Sequence, residues 1–308
     1  MTDPILLWII VSKNEKNFKL ITIKPSFTFS FFLCRVIAKT TREVLMKTFA
    51  IAGCGHLGRI VYKAYINGLL EDYQLIATYS LKKEDAEALT AGTEAKALES
   101  IESVIALKPD FIIETASIAL LKEFAIKALD EGISIIPLSI GAFADEEFKN
   151  EALKSAVQSG AKIYIPSGAV GGFDVLNTIA LIAKANGQKI TAGIHTHKGP
   201  DSLKNTPLYT DELQDKEQSV FSGTTKEAIA LLPTKVNVAV ASALATIGPD
   251  KAKAEITSVP KFIGDDHCIT VETDGLKAIV DIYSATSDIA AWSIVALLRN
   301  LSSSMVFF

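Results

Sequence analysis

The stretch that most restricts this chain is Lys47 to Ala52 followed by Gly53-Cys54-Gly55-His56-Leu57-Gly58. A short apolar run ends in glycines spaced G-x-G-x-x-G, and Arg59 to Leu69 then carries apolar residues at helical intervals. Strand, tight turn and helix in that order admit few folds. Gly53 frees the turn, Gly55 lets backbone approach a pyrophosphate, and Gly58 allows the helix to lie against the strand, while the helix N-terminus favours negative charge. Such a loop also occurs as a plain structural turn, but its place between a strand and a helix points to a dinucleotide. The backbone of Gly53, Gly55, His56, Leu57 and Gly58 is the candidate phosphate cradle.

Beyond that first helix the chain alternates in the same sense. Tyr73 to Tyr79 reads as a strand, Asp85 to Leu89 as a helix, Phe111 to Ile113 as a buried strand, Leu120 to Leu129 as a helix and Ile133 to Leu138 as a strand. Strands separated by helices imply right-handed crossovers and a parallel sheet covered on both faces, so the expected class is α/β with a doubly wound parallel sheet. The acid usually found about twenty residues beyond the glycine loop, where it binds the ribose 2′-hydroxyl, is missing. Ser80, Leu81, Lys82 and Lys83 stand there instead, and Ser80 with Lys82 or Lys83 suits a 2′-phosphate, so NADP is expected to be accepted at least as well as NAD. Two lysines that merely solvate a loop are the alternative.

The 308 residues suffice for two packed units, and 49% apolar with 21% charged residues is an ordinary globular balance. Lys plus Arg number 31 against 35 Asp plus Glu, a net charge of −4 that makes nucleic acid a poor partner. Three cysteines without a CxxC pair argue against a disulfide framework or a structural zinc site and for a reducing, cytoplasmic setting. Residues 1–45 differ in character, with two apolar runs too short to cross a bilayer and seven Lys or Arg against three acids. They read as an atypical extension outside the fold, with Met46 as the functional start.

A second glycine-rich stretch, Pro166 to Asp174, sits between an expected strand at Lys162 to Ile165 and a helix from Val175 to Ala185 that Asp174 would cap. Its bare amides suit a carboxylate or a carboxamide, and a sharp turn between two units is the other reading. Further on, Thr225 to Leu232 and Asn237 to Ala245 read as helices. Ala254 to Val259, Cys268 to Glu272 and Ala278 to Tyr283 read as strands, and Asp288 to Leu301 as an apolar helix that has to be covered. His195 and His197 alternate along a strand and share a face, but no further His or Cys stands near enough in sequence to complete a metal site, and none is expected.

Seven segments together resemble the L-aspartate dehydrogenase family: GCGHLG at Gly53, ETAS at Glu114, SIGAFAD at Ser139, PSGAVGGFD at Pro166, FSGTTKEA at Phe221, NVAVA at Asn237 and DDHCI at Asp265. The resemblance spans nearly everything after Met46. It implies an N-terminal Rossmann domain at 46–165 with the C-terminal helix 287–303 packed back on it. It also implies an α+β substrate domain at 166–286 whose open sheet supports a homo-oligomer. The implied activity is oxidation of L-aspartate to iminoaspartate with NAD or NADP, which feeds NAD biosynthesis or ends in oxaloacetate and ammonia.

The resemblance places the catalytic histidine at His267, with Asp265 where the family has asparagine, a carboxylate expected to raise the His267 pKa. Ala169 and Asn237 fall at nicotinamide contacts, and Ser167 and Gly168 beside the substrate. Thr196-His197-Lys198-Gly199-Pro200 carries His197 where arginine is common, and the family's Asn-Pro-Lys-Thr-Ser is reduced to Ser284-Ala285-Thr286-Ser287. The chemistry asks for such groups. An ammonium substrate must lose a proton before hydride can leave its α-carbon, which imidazole can accept, and two carboxylates need cations and hydroxyls. Lys198, Thr286 and Ser287 are the carboxylate candidates, with protonated His197 as an addition. For His267 the contrary expectation is a polar residue opening a surface strand. A related reductase of the homoserine or dihydrodipicolinate type, or a silent dinucleotide-binding protein, are the alternative functions.

Overall fold

The computed structural model describes residues 46–307, so the readings made of residues 1–45 lie outside it. Strands β1 (Lys47–Ala52), β2 (Tyr73–Tyr79), β3 (Lys96–Leu98), β4 (Phe111–Glu114) and β5 (Ser134–Pro137) form one parallel five-stranded sheet in the order β3-β2-β1-β4-β5. The chain starts at the centre, winds outward one way, returns and winds the other way. That reversal between β1 and β4 is the topological switch point, where open α/β sheets bind ligands.

Both faces are covered, as a parallel sheet requires. Helix α1 (His56–Ile66) and α2 (Lys83–Ala88) lie on one face, and α3 (Ile101–Ala106), α4 (Ile118–Asp130) and α5 (Glu146–Ser159) on the other. Helix α5 is not among the elements expected from the sequence, although Asp145 marks its start by accepting from the Glu147 and Phe148 amides at 3.1 and 3.3 Å.

The expected strand at Lys162 to Ile165 is not there. Only Ile163 bridges to Ile135, because Pro166 has no N–H to extend the pairing and the chain leaves the sheet. Asp174 is not a cap either. Helix α6 (Phe173–Asn186) begins one residue before it, as Gly172 at φ 69° turns the chain, and Asp174 falls in the first turn, where its charge complements the helix dipole.

The second sheet is mixed, in the order β10-β9-β6-β8-β7, from β6 (Ile190–Lys198), β7 (Gln218–Thr224), β8 (Lys253–Ser258), β9 (Asp265–Thr273) and β10 (Leu276–Ser284). Helices α6, α7 (Thr225–Leu231) and α8 (Asn237–Leu244) cover one face, whose floor is Ala192, Ile194, Ala254, Ile256, Ile269 and Val271. On the opposite face Ile279 and Tyr283 are both 58% exposed, Tyr283 with the Phe262 ring edge-on at 5.8 Å and its hydroxyl donating to Ile263 O at 3.1 Å.

Helix α9 (Asp288–Ser302) then returns to the first sheet. Ala291, Ile294, Val295 and Leu298 are buried with Phe49, Ile51 and Val61, and the Tyr73 hydroxyl donates to Leu298 O at 2.7 Å. An apolar helix too short to span a bilayer thus finds its cover in the first core, as its composition demands.

Candidate active site

The glycine loop sits at the switch point. Gly53 adopts φ 108°, and a Cβ there would meet Ala116 and Thr115 at 2.8 Å, so only glycine lets the loop pass beneath the end of β4. At Gly58 a Cβ would strike the Gly53 carbonyl at 2.1 Å, whereas at Gly55 it would meet nothing within 4 Å. Gly55 therefore faces open space. Helix α1 begins at Gly55 with no side-chain cap and no acid in its first turn, leaving its leading amides and positive dipole end available to an anion. The cradle fits a pyrophosphate on these grounds.

The segment expected at the ribose end lies alongside, because Gly53 N donates to Tyr79 O at 2.8 Å and fixes the end of β2 beside the loop. Of the residues expected there, Lys83 is committed to Glu99 at 3.1 Å, while Lys82 and Ser80 have no side-chain partner among the described residues. Arg59, to which the motif gives no role, reaches across from α1 to Asp85 at 2.6 Å. Its one signal in the sequence is its place after Gly58.

Behind the loops lies Glu114, a carboxylate of the ETAS segment with no role expected from the sequence. It is fully buried at the end of β4 and accepts from the Ala116 amide at 2.6 Å, the Ser139 hydroxyl at 2.9 Å and the Ser139 amide at 3.0 Å. Burial pushes its pKa up and those donors oppose the push. Glu114 thereby ties the loop after β4 to the loop after β5. The first contacts the glycine loop through Thr115, whose hydroxyl donates to Gly53 O at 2.6 Å. The second runs on to Gly141, whose amide donates to Asn237 Oδ1 at 2.9 Å at the start of α8.

On the second sheet, His267 is only 3% exposed, so the surface-strand alternative fails. The register explains why. Thr196 of β6 and His267 of β9 are cross-strand partners on the helix-covered face, as are Lys198 and Asp265 one row further along. His267 Nδ1 lies 2.9 Å from Thr196 Oγ1, and Lys198 Nζ lies 3.1 Å from Asp265 Oδ1.

The His267 pKa is pushed down to about 4, against the direction expected from Asp265. Loss of water around the ring is the largest cause; Asp265 does pull upward, but more weakly, and Lys198 adds to the fall. At neutral pH the imidazole is therefore uncharged. In the tautomer whose Nδ1–H donates to Thr196 Oγ1, Nε2 carries a free lone pair.

Several contacts bring this row towards the first sheet. Gly171 lies against Ile282, the β10 partner of His267, a Cβ at Gly168 would lie 4.0 Å from Val238 of α8, and Gly168 N donates to Ser293 Oγ of α9 at 3.0 Å. Ser284, the partner of Asp265, is followed within four residues by Asp288, which meets His56 of the glycine loop at 2.6 Å. His56 is otherwise exposed, as expected for a helix start. Ser167 and Ala169 lie in the same turn as Gly168, the Ser167 carbonyl accepting from Val170 N at 3.2 Å.

Other choices fare less well. His197 points to the face opposite Lys198, beside Asp266 at 4.0 Å, so it cannot assist Lys198: neighbours along a strand alternate sides. Thr286 and Ser287 sit in the turn before α9, where Thr286 Oγ1 accepts from Asp288 N at 3.3 Å, and neither is bonded to Lys198. The His195 and His197 rings lie tilted at 41° with centroids 4.3 Å apart, and His195 Nε2 lies 2.8 Å from Thr257 Oγ1. Among the described residues no group of three or more His, Cys, Asp or Glu side chains is placed to hold a metal ion.

A doubly wound sheet with an uncapped glycine loop at its switch point, joined to a mixed sheet bearing a neutral buried histidine and a buried lysine, defines a two-sheet nicotinamide dinucleotide-dependent dehydrogenase. Family models agree with both parts: the NAD-binding domain of homoserine dehydrogenase matches residues 53–166 and the C-terminal part of aspartate dehydrogenase matches 180–301. The L-aspartate dehydrogenase of Methanococcus maripaludis strain C6 is 32% identical over 264 residues, covering 83% of this chain and 97% of its own. That of Methanocaldococcus jannaschii is 30% identical over 268 residues, with the same coverage. The crystal structure of aspartate dehydrogenase from Thermotoga maritima superposes with a TM-score of 0.68 at 26% identity, over 85% of this chain and 99% of that one. The chain belongs to the L-aspartate dehydrogenase family.

Proposed function

We propose that this protein oxidises L-aspartate to iminoaspartate with NADP or NAD, and that the product hydrolyses to oxaloacetate and ammonia or enters NAD biosynthesis. The observation that carries the reading is the neutral, buried His267 one row from Lys198, in a chain of this family. The bound nicotinamide supplies the hydride acceptor. His267 Nε2 takes a proton from the substrate ammonium, Thr196 holding the ring through Nδ1. The freed nitrogen lone pair then forms the C=N bond as the Cα–H bond breaks and its electron pair departs with the hydride. Lys198 neutralises a substrate carboxylate. Asn237 and the turn of Ser167, Gly168 and Ala169 border the nicotinamide and the substrate, and Thr286 and Ser287 add hydroxyls at the α9 end.

Following reduced cofactor by absorbance with a panel of L-amino acids and L-homoserine tests the assignment. Aspartate alone is expected to react, and His267→Ala is expected to lower turnover by about 10²–10⁴-fold, the usual worth of a general base. Turnover of another substrate would favour the homoserine-type reading, and bound cofactor without turnover the silent one. Lys82 and Ser80, free of partners beside the ribose end, support use of NADP at least as efficient as that of NAD. The ratio of kcat/KM for the two cofactors measures this.

The division we favour is 46–165 with 287–303, and 166–286, each built round its own sheet. The exposed Ile279 and Tyr283 on the face opposite the helices support a homo-oligomer. Unpaired Cys54 and Cys268 agree with a cytoplasmic location, and no helix among the described residues is long and apolar enough to cross a membrane.

A further inference from the structure

Strand β6 lies between β9 and β8, so Lys198 has a neighbour on each side: Asp265 on one and Ser258 on the other. Ser258 is fully buried and shares the helix-covered face with Lys198, since Ile194 pairs with Ala254, Thr196 with Ile256 and Lys198 with Ser258 along one register. Its Oγ has no hydrogen-bond partner. The other buried hydroxyls of this unit are engaged: Thr196 with His267, Thr257 with His195, Thr225 with Ala252 O and Ser242 with Ala239 O. A buried hydroxyl left unpaired is costly, and this one stands in the row of a buried lysine.

We propose that Ser258 and Lys198 together form the subsite for the side-chain carboxylate of a dicarboxylic amino acid, with Ser258 as a binding and specificity-determining residue. The inference rests on the dehydrogenase reading and names the group that reading lacked. Lys198 directs itself to Asp265 on the β9 side and keeps donors for the β8 side, where the hydroxyl stands. An anion bonded on that side of the ammonium lies across it from Asp265, at most about 6 Å from the Asp265 carboxylate, and the single positive charge stands between the two.

Distance also selects which carboxylate. The Lys198 row is two residues beyond the His267 row, about 6.6 Å along the strand. With the substrate nitrogen at His267, the side-chain carboxylate, one bond further from that nitrogen than the α-carboxylate, is the group that reaches the next row. The apolar floor of Ile194 and Ile256 offers a neutral side chain no compensation for leaving these donors unpaired, so the pair also rejects monocarboxylic amino acids.

The test compares the full chain with Ser258→Ala in steady-state kinetics, with succinate as a dead-end probe. The variant is expected to raise the KM for aspartate about tenfold or more, the loss that accompanies a hydrogen bond to a charged acceptor, and to weaken succinate inhibition equally. Its kcat and its KM for the dinucleotide should stay within about twofold of wild type, an outcome a merely structural hydroxyl would not produce. An unchanged aspartate KM overturns the subsite and leaves the dehydrogenase reading standing. Should the wild-type protein not oxidise aspartate, the reading itself falls. A succinate-induced rise in Tm that Ser258→Ala lacks would then still support the subsite, and equal behaviour would refute it. If Ser258→Ala does not fold, Ser258→Cys, nearly the same size with a weaker donor, carries the same comparisons.

Discussion

The Lys198–Asp265 pair is unevenly buried, and the two halves should fail differently. The Lys198 side chain is 3% exposed and the Asp265 side chain 41%, at an N–O distance of 3.1 Å. Asp265→Ala leaves an ammonium sealed in the core with no opposite charge, a loss of about 3–5 kcal/mol. Lys198→Met leaves a carboxylate whose Oδ1 is shut off from water but whose side chain is 41% exposed and can turn outward, and it fills the vacated space with an apolar chain, so it should cost roughly 0–1 kcal/mol. The gap, at least about 2 kcal/mol, corresponds to roughly 4–8 °C in Tm for a chain of this size. Thermal melts of the two variants and the double variant at neutral pH measure it, the double variant recovering much of what Asp265→Ala loses.

Lys198→Met, though well folded, should raise the aspartate KM at least tenfold through the lost charge-assisted bond. Equal losses of stability, or a larger loss in Lys198→Met, would refute the account of which partner is sealed.

Burial holds His267 near pH 4 against 6.5 for a free ring, so kcat/KM should keep its acid side until close to pH 4. Asp265→Asn should move that limb lower and Lys198→Met higher, as stopped assays across pH will show. The same shift has a cost in stability: between pH 6.5 and about 4 the unfolded chain takes a proton the native ring refuses, so stability falls as pH drops through that window, and His267→Gln should flatten the fall in urea titrations. Gly55→Ala should keep the wild-type Tm yet raise the dinucleotide KM, because its Cβ meets only open space, whereas Gly58→Ala strikes Gly53 O and should lose several degrees of Tm. Glu114→Gln presents an amide N–H to a backbone donor whichever way it turns, and should cost about 1–3 kcal/mol by denaturant unfolding together with weaker nucleotide binding.

Local chemistry was enough for the glycine loop, the alternation of strands and helices around it and the return of the apolar helix α9, since each depends on residues close in sequence or on a face too apolar to leave uncovered. The motifs also sufficed to single out His267 and Lys198. What these two are to each other was not written there. Thr196 lies 71 positions from His267 and Ser258 lies 60 positions from Lys198, and only the register of three strands sets them in adjacent rows on one face. The direction of the His267 pKa was equally out of reach: a neighbour in sequence, Asp265, predicts a rise, while the fall comes from helices and strands that pack from elsewhere and remove its water. Motif and composition name the chemistry that is present; the assembled sheet selects the side chains that share a dry surface, because desolvation and cross-strand pairing belong to strands brought together and to no single segment.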